Sequence, residues 1–220
     1  MRANGLYDVA ITRGMEFKDA VAARYSAYSL DDRMDEAGVS FDDVVAMIRG
    51  IAPAVPSSYN SQTCRMFVLG GDDHREFWSI VTDVLRAKVG DEQRFARTES
   101  KMKGFSDAAG TILFYEKDAD TDALIEKHPS YKDAFPTWAE HSSAMMQFAV
   151  WTGLYDMGLG ANIQHYNPII DDRVREAFGI PDGLRLVCQI VFGRPTGDRP
   201  AKRKLAGGDM VFVAHAGGIE

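Results

Sequence analysis

The stretch from Pro136 to Met157 constrains the fold more than any other part of this chain. Trp138, Met145, Phe148, Ala149, Trp151, Thr152 and Tyr155 leave little of its circumference polar. At about 3.6 residues per turn these positions point in many directions around a helix, so no broad face suits bulk water. Such a helix has to be covered on all sides. In a chain of 220 residues this implies a central helix shared with a second subunit. Gly158-Leu159-Gly160 closes it as a glycine-rich stop.

Other stretches are one-sided. From Glu16 to Tyr28 the composition is helical, with Phe17, Ala20 and Val21 as an apolar stripe and Arg24 where its next member should fall. A guanidinium there needs a partner or a ligand, or it snorkels out to solvent. Ser40 followed by Asp43 predicts a capped helix reaching Ile51, with Val44, Met47, Ile48 and Ile51 on one face and Pro53 and Pro56 ending it. A strand at Arg65–Leu69 and a helix near Asp73–Lys88 follow, then a strand at Thr111–Tyr115. Beyond the long helix come a short segment at Ala161–Tyr166, a helix near Asp171–Phe178, a strand at Leu184–Phe192 and an extended piece at Met210–Ala214. Strands and helices interleave without a βαβ rhythm, which is an α+β pattern with one sheet wrapped by helices.

Composition removes several functions. A net charge of −7 argues against a nucleic-acid partner, which requires a basic face. No apolar run reaches the roughly 20 residues that cross a bilayer, so no membrane role is expected. Residues 1–14 lack a signal-peptide layout and read as an arm or remnant ahead of the domain. Two cysteines, Cys64 and Cys188, are too few for a disulfide framework and suit a reducing cytoplasm. Cys188 reads as a buried thiol, whereas Cys64 beside a polar loop has a reactive alternative. The five histidines show no paired metal spacing, so no metal site is expected.

Three separated polar clusters remain: Arg24-Tyr25-Ser26, the loop Ser57–Gln62, and a late basic run of Arg199, Lys202, Arg203 and Lys204. A phosphate ester suits guanidinium and ammonium groups drawn from both ends of a chain, because charge-assisted hydrogen bonds contribute roughly 1.5–3 kcal/mol each. The plainer readings are a surface loop with capping serines and a solvated charged segment. Gly158-Leu159-Gly160 follows a helix, so it is not a dinucleotide fingerprint. There is no phosphate-binding Walker loop and no Gly-x-Ser-x-Gly elbow for a serine hydrolase.

The order of these clusters resembles that of FMN-dependent nitroreductases, in particular the subgroup that includes the yeast fatty-acid-repression-mutant protein and the bacterial copper-induced nitroreductase. Pro56-Ser57-Ser58-Tyr59-Asn60-Ser61-Gln62, Gly110–Glu116, Trp138–Ser143, Gly158–Pro168 and Phe192–Gly197 carry the resemblance, which spans roughly Phe17 to Val213. The string Asn162-Ile163-Gln164-His165-Tyr166-Asn167-Pro168 is too unusual for chance to explain well.

The resemblance implies one nitroreductase-like domain over residues 1–220, a mostly antiparallel central sheet and an intertwined homodimer with one FMN per subunit at its interface. Arg24 and Ser26, with Lys202 or Lys204, would hold the phosphate and ribityl chain, and Tyr25 stands where many relatives carry a second basic residue. Ser57, Ser58 and Asn60 would approach from the partner subunit, with Gln62 lining the pocket. Ile163, Gln164 and His165 would lie near flavin N5, and Lys103, in competition with Lys101, near N1 and C2=O.

His141 reads as a hydrogen-bonded core histidine or a substrate contact, Tyr131 as core or pocket wall, and Trp138 as core. The implied reaction is ping-pong. Hydride passes from NADH or NADPH to N5 and then to a nitroaromatic or quinone, with no catalytic side chain required because the flavin carries the chemistry. The alternatives are a flavin-binding stress or regulatory protein with little turnover, and another flavin reaction such as dehalogenation or flavin destruction. Relatives of the last kind add a lid, and Lys117–Tyr131 shows no obvious insertion for one.

Overall fold

The computed structural model describes residues 14, 16–216 and 218–219. Apart from Gly14, the expected N-terminal arm lies outside the described residues. In chain order the elements begin with α1 (Phe17–Ala23), β1 (Leu30–Asp31), α2 (Phe41–Ile51), β2 (Cys64–Gly70), α3 (Gly71–Val89) and α4 (Glu92–Ser106). They continue with β3 (Gly110–Lys117), α5 (Asp118–Lys127), α6 (Phe135–Asp156), β4 (Gly160–Gln164), α7 (Asp171–Phe178), β5 (Leu184–Pro195), β6 (Ala214–His215) and β7 (Gly218–Ile219).

α2 starts with the capping box that its sequence predicts: Asp43 N–H donates to Ser40 Oγ at 3.1 Å and Ser40 N–H donates to Asp43 Oδ2 at 2.8 Å. α1 is shorter than the helical composition suggests. Arg24 turns out at ψ 136, and Ala27 N–H then donates to the Ala161 carbonyl at 3.0 Å. Pairing with β4 therefore outweighs helix propensity over Arg24–Tyr28.

β5 runs through the middle of the sheet. It lies antiparallel to β3 on one side and to β4 and β1 on the other, and β2 flanks β3 antiparallel at the edge. A parallel bridge joins Ser26 to Ala161. One face carries Leu113, Tyr115, Val191, Phe77, Trp78 and Phe105 under α3, α4 and α7. The other carries Ile112, Phe114, Ile190, Phe192, Met47 and Val150 against α2 and α6.

Leu186 and Cys188 occupy opposite cores although they are two positions apart. The register shift at Phe114/Tyr115 explains it, because Phe114 pairs with Cys188 while Tyr115 pairs with Leu186. Val187 is the extra residue, and a bulge of this kind reverses which face each later side chain meets.

α6 is not covered on all sides by its own chain. Met146, Val150 and Leu154 are buried, whereas His141, Ala144, Met145 and Phe148 form an exposed stripe at spacings of three and four. Met145 is 42% and Phe148 39% exposed. Leu205, Met210, Val211, Phe212 and Val213 are exposed as well, on an arm with little regular structure rather than the expected extended piece. No helix among the described residues is long and apolar enough to cross a membrane.

Candidate functional site

Because the chain leaves α1 at Ala23, Arg24 turns toward α6, and its guanidinium lies 4.2 Å from the centre of the Trp151 ring. This cation–π contact is the partner that the apolar stripe demanded. It is incomplete, since Arg24 Nε is buried without a hydrogen-bond partner. Arg199 stands nearby, 5.6 Å from the Tyr25 ring centre, and donates to the Ala22 carbonyl at 3.2 Å. Burial, and then the Arg199 charge, lower the Arg24 pKa. Two guanidiniums held this way favour an anion bound between them. A groove of about 210 Å³ lined by Tyr25, Ser26, Tyr28, Ser29, Gly197 and Asp198 opens at the same end.

The polar loop is a strained structure. Tyr59, Asn60 and Gln62 have φ of 56°, 53° and 46°, and left-handed conformations of non-glycine residues cost of order 1–3 kcal/mol each when sparsely populated. The strain is held by surrounding contacts. Ser57 Oγ accepts from Gln62 N–H at 3.0 Å instead of capping a helix. Arg65 donates to the carbonyls of Gln62 and Cys64 at 2.7 and 2.9 Å and to Asp120 at 3.1 Å. The Tyr59 ring stacks on Trp138 at 6.3 Å and 15°, and meets His128, Phe135 and Tyr131 at 4.9, 5.3 and 6.3 Å. Trp138 is thus half-buried in an aromatic cluster rather than core, and Tyr131 is exposed in that cluster. His141 is exposed one turn further along α6 and is not a core histidine.

Under the loop lies a cavity of about 280 Å³, lined by Pro53, Pro56, Ser57, Gln62, Thr63, Cys64, Ser142 and Met146 among others. Burial first, and the Glu116 charge second, push the Cys64 thiol up to about 12, which removes its reactive alternative. The interval Lys117–Tyr131 forms α5 and a short 3₁₀ turn at Pro129–Tyr131.

On β4, Ile163 is half-buried and Gln164 buried, and His165, just past the strand's end, is exposed. Gln164 Nε2 donates to Asn162 Oδ1 at 2.8 Å, and Asn162 Nδ2 donates to the Ala27 carbonyl at 2.7 Å. Lys101 Nζ reaches Gln164 Oε1 at 3.3 Å and lies 5.2 Å from the Phe105 ring centre. Lys103 is not brought to this strand. It is exposed and pairs with Asp107 at 2.7 Å one turn along α4. Lys202 and Lys204 are exposed on the arm, and Arg199 is the late basic residue whose charge acts on Arg24. No group of three or more metal-binding side chains occurs among the described residues.

Residues 21–194 match the model of the nitroreductase family. The chain is 30% identical over 181 residues to the nitroreductase FRM2 of Saccharomyces cerevisiae, covering 82% of this chain and 88% of that one. Its structure resembles nitroreductase CinD from Lactococcus lactis, solved with chloramphenicol and with 4-nitrophenol, with a TM-score of 0.81 and 34% identity over 91% of this chain and all (100%) of that one. The fold is also shared with a nitroreductase from Desulfitobacterium hafniense that contains FMN, at 16% identity and a TM-score of 0.65 over 92% of this chain and 100% of the other. The chain belongs to the nitroreductase family.

Proposed function

We propose that this chain is an FMN-dependent oxidoreductase that uses NADH or NADPH to reduce small electron-poor aromatics, nitroaromatics or quinones, and that it works as a homodimer of single-domain subunits. The observation that carries the reading is the Arg24–Arg199 pair, two guanidiniums near enough for the charge of one to act on the other, with one buried nitrogen lacking a hydrogen-bond partner. A phosphate dianion supplies what that pair lacks, so the residues present fit FMN.

Arg24 and Arg199 would hold the phosphate and Ser26 the ribityl hydroxyls, with Lys202 and Lys204 as outer charges. Ile163 and Gln164 on β4, and His165 just after it, would border the ring edge. Lys101, held by Gln164, suits the N1–C2=O end better than Lys103, because a fixed cation there favours added negative charge. Bound FMN would supply the hydride chemistry between nicotinamide and acceptor. The protein's part is to orient the reactants and exclude water. Tyr59, Trp138, Tyr131 and His141 present aromatic faces on which a planar acceptor can stack.

Geometry within one chain favours the dimer. The strained loop packs on Trp138 and Arg24 packs on Trp151, roughly 20 Å apart along α6. Ser57, Ser58, Asn60 and Gln62 therefore complete a site with Arg24 most readily when they come from a partner whose α6 runs alongside. The exposed stripe of Met145 and Phe148 and the apolar C-terminal arm supply surfaces for such a pairing. Phe148→Glu is expected to shift the protein from dimer toward monomer and to release flavin, as read by sedimentation. A dimer unchanged in that variant counts against this interface. The two free thiols suit a reducing compartment such as the cytoplasm.

The direct test is purification and assay. The protein should be yellow, its released chromophore should have the mass of FMN, and it should oxidise reduced nicotinamide rapidly only when an acceptor is added. Flavin without acceptor-dependent turnover would instead favour a binding or regulatory role.

A further inference from the structure

Asn162 and Gln164 are two positions apart on β4 and so share one face of the sheet. It is the face that Val191, the β5 partner of Asn162, fills together with Leu113. Asn162 is fully buried there and Gln164 is 8% exposed. Carboxamides within an apolar layer are costly unless hydrogen-bonded, and these two form a continuous run. Asn162 Nδ2 donates to the Ala27 carbonyl at 2.7 Å, Gln164 Nε2 donates to Asn162 Oδ1 at 2.8 Å, and Lys101 Nζ donates to Gln164 Oε1 at 3.3 Å.

The direction of the run follows from its two ends. A backbone carbonyl can only accept, so Asn162 turns its amide nitrogen to Ala27 and its Oδ1 to Gln164. Gln164 must then present Nε2 to Asn162, which leaves Oε1 for an ammonium that can only donate. Hydrogen bonds in such a series polarise one another and strengthen the last acceptor. Lys101 is otherwise exposed, but its Nζ lies 5.2 and 5.9 Å from the ring centres of Phe105 and Tyr166, so the tether and two rings gather the charge at one place. The far end is anchored in the segment that carries Arg24 and Ser26, since Ala27 N–H donates to the Ala161 carbonyl and Ser26 bridges to Ala161. Asn162 alone would suffice to pin that segment to β4. The Gln164 side chain goes further, because its remaining oxygen is turned to Lys101.

We propose that Asn162 and Gln164 are positioning residues for Lys101: the run from the Ala27 carbonyl through both carboxamides aims Gln164 Oε1 at the ammonium and holds that charge beside β4, where it favours the reduced flavin over the oxidised one. The inference rests on the reading of Lys101 as the cation at the N1–C2=O end of bound FMN.

The dissociation constants of oxidised and reduced FMN, measured on the full-length chain, test this through their ratio, which moves only when a group responds to the charge that reduction adds. Lys101→Met should lower the oxidised-to-reduced ratio about tenfold, which for a two-electron couple is a fall of about 30 mV in the potential of the bound flavin. Asn162→Leu leaves Lys101 in place and removes side-chain hydrogen bonds only to Gln164 and Ala27. It should lower the ratio about threefold, and should have no further effect once Lys101 is methionine. Gln164→Met is read in the same way should Asn162→Leu not fold. In the flavin-free protein the side-chain amide protons of Gln164 should exchange slowly with solvent, and Asn162→Leu should speed them about tenfold. An unchanged ratio in the variant that breaks the run, or an equal shift with and without the Lys101 ammonium, would overturn the proposal. Failure of the flavin reading has a different signature, slow Gln164 amide protons in a wild-type protein that binds neither form of FMN.

Discussion

Replacing Arg24 with alanine is expected to weaken FMN binding by about a hundredfold, the loss of one to two charge-assisted hydrogen bonds. Arg24 contributes a charge already partly stripped of water, and its Nε is buried with nothing to bond. An anion gains more from such a group than from a solvated lysine, because the desolvation cost has been met in folding. Ser58→Ala removes at most a neutral hydrogen bond and should cost only a few-fold. Arg199→Ala should fall between the two, while Lys202→Ala and Lys204→Ala should change little, since both lysines are solvated. Arg24→Lys should recover part of the affinity, keeping the charge but not the planar fork. Titration of FMN fluorescence against each variant reads these constants. Equal losses in Arg24→Ala and Ser58→Ala would contradict the phosphate assignment.

The second large effect concerns stability and pH. His74 is 1% exposed in a closed network. Its Nε2 lies 3.0 Å from the Phe105 carbonyl, which can only accept, so Nε2 carries the proton. Nδ1 then accepts from the Thr111 hydroxyl at 2.9 Å, and Thr111 Oγ1 accepts from Trp78 Nε1–H at 2.9 Å. A second proton, on Nδ1, would displace the Thr111 hydroxyl proton from this contact and place a charge in the buried network. Burial, as the main cause, lowers the His74 pKa from 6.5 to about 4.

Below pH 6.5 the unfolded chain therefore binds a proton at this site that the folded protein refuses until pH falls to about 4. Stability from His74 is complete above pH 6.5 and is lost as pH falls to about 4, amounting to about 3 kcal/mol over that window. Glu116 works in the opposite sense, because its raised pKa makes the folded state hold a proton that the unfolded chain has released. The contribution of His74 is thus read as a difference between proteins. Urea unfolding of wild type and His74→Gln at pH 7.5 and pH 4.5 should show the variant losing markedly less stability on acidification. Parallel losses in the two would mean that His74 titrates normally in the fold.

Sequence pattern revealed the elements whose local signals agree with their tertiary role. The Ser40/Asp43 box, the stripe of Val44, Met47 and Ile48, and the apolar strands at β3 and β5 each meet the same solution locally and globally. α4 escaped notice because its stretch Glu92–Ser106 is mostly charged or small, and only Phe95, Met102 and Phe105 are buried. That omission also left Lys101 and Lys103 undecided. On a helix, Lys101 shares a face with Phe105 four residues on, whereas Lys103 points roughly 200° away from it, so recognising α4 would have separated them.

Arg24 was conspicuous as a cation in an apolar stripe, but its release from the helix depends on pairing between Ala27 and Ala161, which no local pattern encodes. The placement of Arg199 near Arg24 likewise depends on a long-range contact, made to Ala22 near the other end of the chain. The serines and asparagine of the loop were visible as composition, while the positive φ of Tyr59, Asn60 and Gln62 was not. Those positions carry ordinary side chains in a conformation usually left to glycine, and only the closing contacts from Ser57, Arg65 and Trp138 account for them.

A crystal structure of the protein grown with FMN tests the central claim most directly. It should show a two-fold dimer with the flavin phosphate on Arg24 and Arg199 of one subunit, and the partner's strained loop against the same flavin. FMN bound away from Arg24, or a single subunit that holds flavin without any contribution from a second loop, would contradict it.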